Sequence, residues 1–283
     1  MIDHVLIVGY GTMGQGIAVS FARGGHRVTV LSRNPERAGN ALPGVEVVAE
    51  LPDEPPDLII EAIPEKFELK IALFSRLERA YRGRPILATN TSGLPLENLA
   101  DALRHPERFL GIHYFHPAEV FPTVEVIPVA QTDQEVCKEV TAALKRNGQD
   151  AVLIRRPVAG FLINRLQHAV LHEAFSMIEQ GLVTAADIDK VCRTMFGPRM
   201  CVTGLIEQKD LSGLETTAAT QRNLVPELNH SGVPTRQIQD MVASGEDGAK
   251  SGKGFYDWSG RDVEAYKKRA MLKISRILDI ISE

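Results

Sequence analysis

The stretch Gly111-Ile112-His113-Tyr114-Phe115-His116-Pro117, followed by Val124-Glu125-Val126-Ile127, sets a histidine and a glutamate twelve positions apart. An imidazole with an ordinary pKa of about 6.5 can take up and return a proton near neutrality. A carboxylate on its other ring nitrogen would fix the tautomer and stabilise the imidazolium. Pro117 and Pro122 lie between the two residues, so a strand–turn–strand hairpin could join them. Spacing alone does not decide that pairing. The chemistry such a pair would serve is exchange of an alcohol proton during hydride transfer.

A second constellation points to the partner of that chemistry. Gly9-Tyr10-Gly11-Thr12-Met13-Gly14 fits GxGxxG, follows the apolar run Val5-Leu6-Ile7-Val8 and opens a helix-like stretch from Ile17 to Arg23. The spacing is weak alone; strand before and helix after give it force. Gly9 would permit the tight turn, Gly11 the approach of a pyrophosphate and Gly14 close packing of helix on sheet. Free amides at the helix start, with Thr12 and Met13 in the same loop, can then hold phosphate oxygens. The second strand ends in Leu31-Ser32-Arg33-Asn34, where NAD-binding chains usually carry an acid. Ser32 can donate to a 2′-phosphate and Arg33 can pair with it, so NADP is the expected cofactor. Arginine here can also stack on adenine, which leaves NAD possible.

The elements that must position these residues alternate in the first half. Strands are expected at Arg27–Leu31, Val45–Val48, Asp57–Ala62, Pro85–Thr89, Phe109–His113, Val124–Ile127 and Ala151–Ile154, and a helix over Phe67–Tyr81. After Arg155-Arg156-Pro157 the texture becomes helical, at Phe161–Gln180, Ala185–Met195 and Val263–Ile281. The fold class is α/β: a Rossmann-type doubly wound sheet in a dinucleotide-binding domain over 1–157, then a smaller all-helical domain over 158–283. A net charge of −4 gives no reason to expect nucleic acid or an anionic membrane as partner. Cys137, Cys192 and Cys201 have no paired spacing, so neither disulfides nor structural zinc are expected, and a cytoplasmic setting fits. The start lacks a basic leader and reads as a buried strand. No stretch approaches the roughly 20 apolar residues of a membrane helix.

Taken together, these motifs resemble the 3-hydroxyacyl-CoA dehydrogenase family, including relatives that act on free hydroxy acids. The resemblance runs from Val5 to Tyr256 and is carried by the glycine loop, Glu61-Ala62-Ile63-Pro64-Glu65, Thr89-Asn90-Thr91-Ser92, His113 with Glu125, Gly160-Phe161-Leu162-Ile163-Asn164-Arg165 and Gly252-Lys253-Gly254-Phe255-Tyr256. It implies that His113 is the general acid/base and Glu125 its orienting carboxylate. Ser92 and Asn164 would bind the substrate oxygen or its neighbours. Glu65 and Lys70 would lie along the nicotinamide ribose, and Asn90 would belong to the cofactor site. It further implies a homodimer formed through the helical domain. On the residues alone, Ser92 and Asn164 also suit capping, and Glu65 and Lys70 a surface pair.

Two departures from the family shape the expected substrate. CoA-thioester members carry a long helical hairpin after the second strand, whereas here only 29 positions separate Ser32 from Glu61. There is no room for two long helices and a strand. The expectation is therefore a small 3-hydroxy or 3-keto acid lacking CoA. The alternatives are an NAD-dependent 3-hydroxyacyl-CoA dehydrogenase with a truncated CoA site, and a catalytically silent cofactor-binding protein. The second departure is His116, where the family commonly has asparagine. His113 and His116 make a poor metal pair, because residues three apart on a strand face opposite ways. His168 and His172 share a helix face but lack a third ligand, so no metal is expected. Arg199 is a candidate for a substrate carboxylate, and Lys267-Lys268-Arg269 reads as a solvated helix face.

Overall fold

The computed structural model describes residues 1–38 and 44–282 of the chain, which folds as two compact units, Met1–Arg165 and Leu166–Glu283. In the first unit, β1 (His4–Val8), β2 (Arg27–Leu31), β3 (Val45–Val48), β4 (Leu58–Glu61), β5 (Ile86–Thr89), β6 (Phe109–His113), β7 (Thr123–Pro128) and β8 (Asp150–Leu153) form one sheet. Its order is β3-β2-β1-β4-β5-β6-β7-β8. β3 to β6 pair in parallel; β7 runs antiparallel to β6, and β8 parallel to β7. The first six strands thus have the doubly wound order, with the direction of winding reversing between β1 and β4.

Continuous apolar strands are what a sheet covered on both faces requires. Val5 and Ile7 of β1 face α1 (Thr12–Arg23), with Ile17, Ala18 and Phe21, and α4 (Gln134–Arg146), with Val136, Val140 and Leu144. Leu6 and Val8 face α2 (Phe67–Tyr81), with Phe74 and Leu77, and α3 (Leu96–Asp101), with Leu96 and Leu99. Each such fully buried side chain contributes about 1.5–3 kcal/mol relative to exposure. The α2 boundaries match the expected span. Helices α3 and α4 are additions to it.

Between β2 and β4 the described residues hold a short 3-10 turn (Pro35–Ala38) and β3, with no α-helix. Residues 39–43, part of the interval expected to be too short for a hairpin, lie outside the described residues.

The second unit is helical: α5 (Ile163–Glu179, which begins in the first unit), α6 (Ala185–Val191), a π-helical turn (Cys192–Phe196), α7 (Gly197–Thr203), α8 (Glu207–Ser212), α9 (Leu214–Leu224), α10 (Arg236–Ala243) and α11 (Val263–Ile281). Thr184 and Asp187 form a capping box at the start of α6. The helix expected from Phe161 starts two residues later, because Phe161 has a left-handed backbone (φ 49°). Residues 158–165, expected in the second domain, pack with the first, since the amides of Leu162 and Ile163 bind Glu125. Helices α7, α8 and α9 have no buried residue, and Val202, Ile206, Leu211 and Leu214 are 62–82% exposed.

Candidate active site

His113 ends β6 and Glu125 lies on β7, and the antiparallel register sets them directly opposite each other. Both are buried, and Nδ1 of His113 lies 2.6 Å from Oε2 of Glu125. The carboxylate's other oxygen accepts from the amides of Leu162 (2.8 Å) and Ile163 (2.9 Å). Burial pushes the Glu125 carboxyl up, but the hydrogen bonds from His113, Ile163 and Leu162 outweigh it and hold the group below its ordinary 4.5. An ionised Glu125 makes Nδ1 the donor, so the neutral imidazole presents a lone pair at Nε2. The rings of Phe115 and Phe161 flank His113, with centroids at 4.5 and 5.3 Å. Phe161 takes its left-handed conformation at a cost of about 1–3 kcal/mol and thereby turns the following amides onto Glu125.

Ser92, on the segment after β5, sets its Oγ 3.1 Å from Nε2 of His113. Glu65 pins that segment, accepting from the Thr91 hydroxyl and from the amides of Ser92 (3.0 Å) and Gly93 (3.2 Å). Burial raises the Glu65 carboxyl, and the Thr91 hydroxyl together with the Lys70 ammonium brings it net below its ordinary value. Lys70 is buried: Nζ contacts both oxygens of Glu61, at 2.7 and 2.6 Å, and Glu65 Oε2 at 3.1 Å. Asn90 accepts from the Tyr114 amide at 2.9 Å and so ties the end of β5 to the end of β6.

The glycine loop joins β1 to α1. Gly9 has φ 115°, and a Cβ there would lie 2.6 Å from the carbonyl of Ala62; one on Gly14 would lie 1.9 Å from that of Gly9. A Cβ on Gly11 would meet no protein atom within 4 Å. Gly11 and Thr12 are exposed at the start of α1, whereas Met13 packs against the core. Exposed amides at this helix end, with space above Gly11, fit a dinucleotide pyrophosphate. At the end of β2, Ser32 accepts from the Asn34 amide (3.2 Å) and Arg33 is exposed.

Asn164 is half-buried on the first turn of α5, and its side chain has no hydrogen-bond partner among the described residues. His116 lies exposed in the loop after β6, not on a strand as the metal argument had assumed. His172 bonds the carbonyl of Ser231 at 2.8 Å, Arg199 is exposed on α7, and Lys267–Arg269 lie exposed on α11. The three cysteines are free. Among the described residues, no helix is long and apolar enough to cross a membrane. Sequence reading missed the role of Glu61. Its signal was an acid closing an apolar strand nine residues before a lysine.

Residues 4–54 and 45–157 match the model of the 3-hydroxyacyl-CoA dehydrogenase NAD binding domain, and residues 160–258 that of the family's C-terminal domain. The chain belongs to the 3-hydroxyacyl-CoA dehydrogenase family. It is an oxidoreductase with a nicotinamide-dinucleotide-binding Rossmann domain. It is 28% identical to the 5-formyl-3-hydroxy-2-methylpyridine 4-carboxylate 5-dehydrogenase of Mesorhizobium japonicum, over 99% of each chain. A probable 3-hydroxybutyryl-CoA dehydrogenase of Bacillus subtilis is 30% identical over 91% of this chain and 98% of its own. Among solved structures, a 5-formyl-3-hydroxy-2-methylpyridine 4-carboxylic acid 5-dehydrogenase described as an NAD+ dependent dismutase superposes with a TM-score of 0.93 at 25% identity, covering 100% of this chain and 99% of the other. The (S)-3-hydroxybutyryl-CoA dehydrogenase of Ralstonia eutropha gives 0.72 at 27% identity, over 92% and 100%.

Proposed function

We propose that this family member transfers a hydride between a nicotinamide dinucleotide and a small 3-hydroxy or 3-keto acid that carries no CoA. The observation that carries the reading is the His113–Glu125 pair, in register at the sheet's ligand-binding end, with Ser92 Oγ on the remaining ring nitrogen. The cofactor, when bound, supplies the hydride acceptor or donor. His113 Nε2 takes the alcohol proton in oxidation and returns it in reduction, while Glu125 holds Nδ1 and stabilises the imidazolium. Ser92 and Asn164 orient the substrate oxygen. Gly9, Gly11, Thr12, Met13 and Gly14 hold the cofactor's pyrophosphate end, and Glu65 faces its ribose. Lys70 serves that site from beneath, because its ammonium is spent on Glu61 and Glu65.

Exclusion of CoA is supported by the short passage from β2 to β4, where the match to the NAD-binding model breaks into two pieces that meet at residues 45–54. A second reading, oxidation of a formyl group on a ring carboxylic acid, is favoured by full-length likeness to a dehydrogenase named for such a substrate. The adenosine end divides residues from relatives. The family model is described as NAD binding and one solved relative as NAD+ dependent, whereas Ser32 and Arg33 suit a 2′-phosphate. We assign Ser32 and Arg33 to NADP. We also assign the exposed apolar side chains of α7, α8 and α9 to contact with a second copy of the chain.

Fluorescence titration of NADPH and NADH against wild type and Arg33→Ala tests the cofactor. NADPH preference of about tenfold or more, lost in the variant, is expected. Equal or tighter NADH binding removes the 2′-phosphate site, and binding of neither removes the enzyme reading. Turnover of acetoacetate with NADPH or NADH but not of acetoacetyl-CoA supports the free acid. The reverse returns the CoA-thioester reading, and turnover of a formyl-pyridine carboxylate alone selects the second.

A further inference from the structure

Beneath the Ser92 segment lies a buried charged chain that proton transfer itself does not use. Glu61 is fully buried at the end of β4, and its carboxylate accepts from Lys70 on both oxygens, from Thr89 Oγ1 at 2.7 Å and from the Ile63 amide at 2.7 Å. The three ammonium N–H bonds of Lys70 match three acceptor atoms, two on Glu61 and one on Glu65. Glu65 in turn binds Thr91, Ser92 and Gly93, and Ser92 Oγ meets Nε2 of His113. The chain therefore runs from the ends of β4 and β5 to the catalytic imidazole, and at its buried end the Lys70 ammonium has every N–H committed. A buried ion pair adds little net stability over a neutral pair of similar shape, so stability does not explain this one.

We propose that the Glu61–Lys70 pair positions Ser92 against His113, acting through Glu65. Glu61 and Lys70 are then positioning residues. The proposal rests on the reading of Ser92 and His113 as the substrate-facing groups.

The test replaces both charges together, Glu61→Gln/Lys70→Met. The new amide can accept from Ile63 N–H and donate to Thr89 Oγ1, and the thioether fills the lysine stem's path, so the sheet end keeps its bonds. Glu65→Gln breaks the same link from its half-exposed end should the double variant fail to fold. The first readout is the Cε1–H NMR signal of His113, assigned with His113→Gln. In each variant it should move in the sense that Ser92→Ala moves it, and adding Ser92→Ala should move it no further. The second is amide exchange, expected to be about tenfold faster at Ser92 and Gly93 with β1 amides unchanged. Where a substrate is turned over, kcat should fall with KM held. A folded variant with the His113 signal and exchange of wild type overturns the proposal. Cofactor titration of wild type fails separately if the functional reading is wrong.

Discussion

Glu125 has both carboxylate oxygens committed, one to His113 and the other to two amides at the head of α5. Glu125→Gln keeps the shape and loses the charge that stabilises the imidazolium. We expect kcat to fall about 100-fold with KM little changed, and His113→Gln to cost at least as much; steady-state kinetics on the accepted substrate check both. Because the folded Glu125 value lies below the ordinary 4.5, its contribution to stability is complete above that value and is lost as pH falls through the folded one. The Tm gap between wild type and Glu125→Gln should be open above about pH 4.5 and close as pH falls further, as calorimetry can show. A gap that widens in acid would contradict that sign. At this scale the sequence displayed the histidine, its glutamate and the serine as separate polar residues. It did not display their contacts, since the Glu61–Lys70 pair and the amides on Glu125 arise only when strand ends and a left-handed residue bring distant segments together.

The glycine loop separates two causes that one motif conceals. Gly14→Ala puts a methyl 1.9 Å from the Gly9 carbonyl and should destabilise by about 1–3 kcal/mol, read as a lowered urea midpoint. Gly11→Ala meets no protein atom, so its midpoint should match wild type within about 0.5 kcal/mol while NADPH or NADH binding weakens about tenfold or more. Equal losses of stability in the two variants would contradict the assignment. Strands buried on both faces were legible because their apolar runs are continuous, and β2, β3 and β6 begin and end where expected. Helix α4 repeats its buried residues at Val136, Val140, Ala143 and Leu144, a helical spacing present in the sequence and not read. Helix α3, at six residues, is too short to show a period. Helices α7 to α9 show no core-facing stripe because no residue of theirs is buried within this chain.

That last fact belongs to the whole molecule. A helical unit with Val202, Ile206, Leu211 and Leu214 largely exposed should not remain single in water. Sedimentation at micromolar concentration should give about twice the chain mass, and Leu211→Glu/Leu214→Glu should shift it to a monomer with lowered Tm. A wild-type monomer at that concentration would remove the second copy from the reading. The reversal of β7 against β6 reaches further still. His113 and Glu125 owe their facing positions to the sheet ladder, and of residues 114–122 between the two strands Tyr114 and Ala118 are buried in the core while Phe115 flanks the imidazole. The exposed positions of that connection, His116 and Glu119, can therefore change while the proton-handling pair stays where it is. The dyad is thus anchored twice over, once by the ladder and once by the aromatic residue that opens the return, and drift at the tip of the loop leaves both anchors untouched.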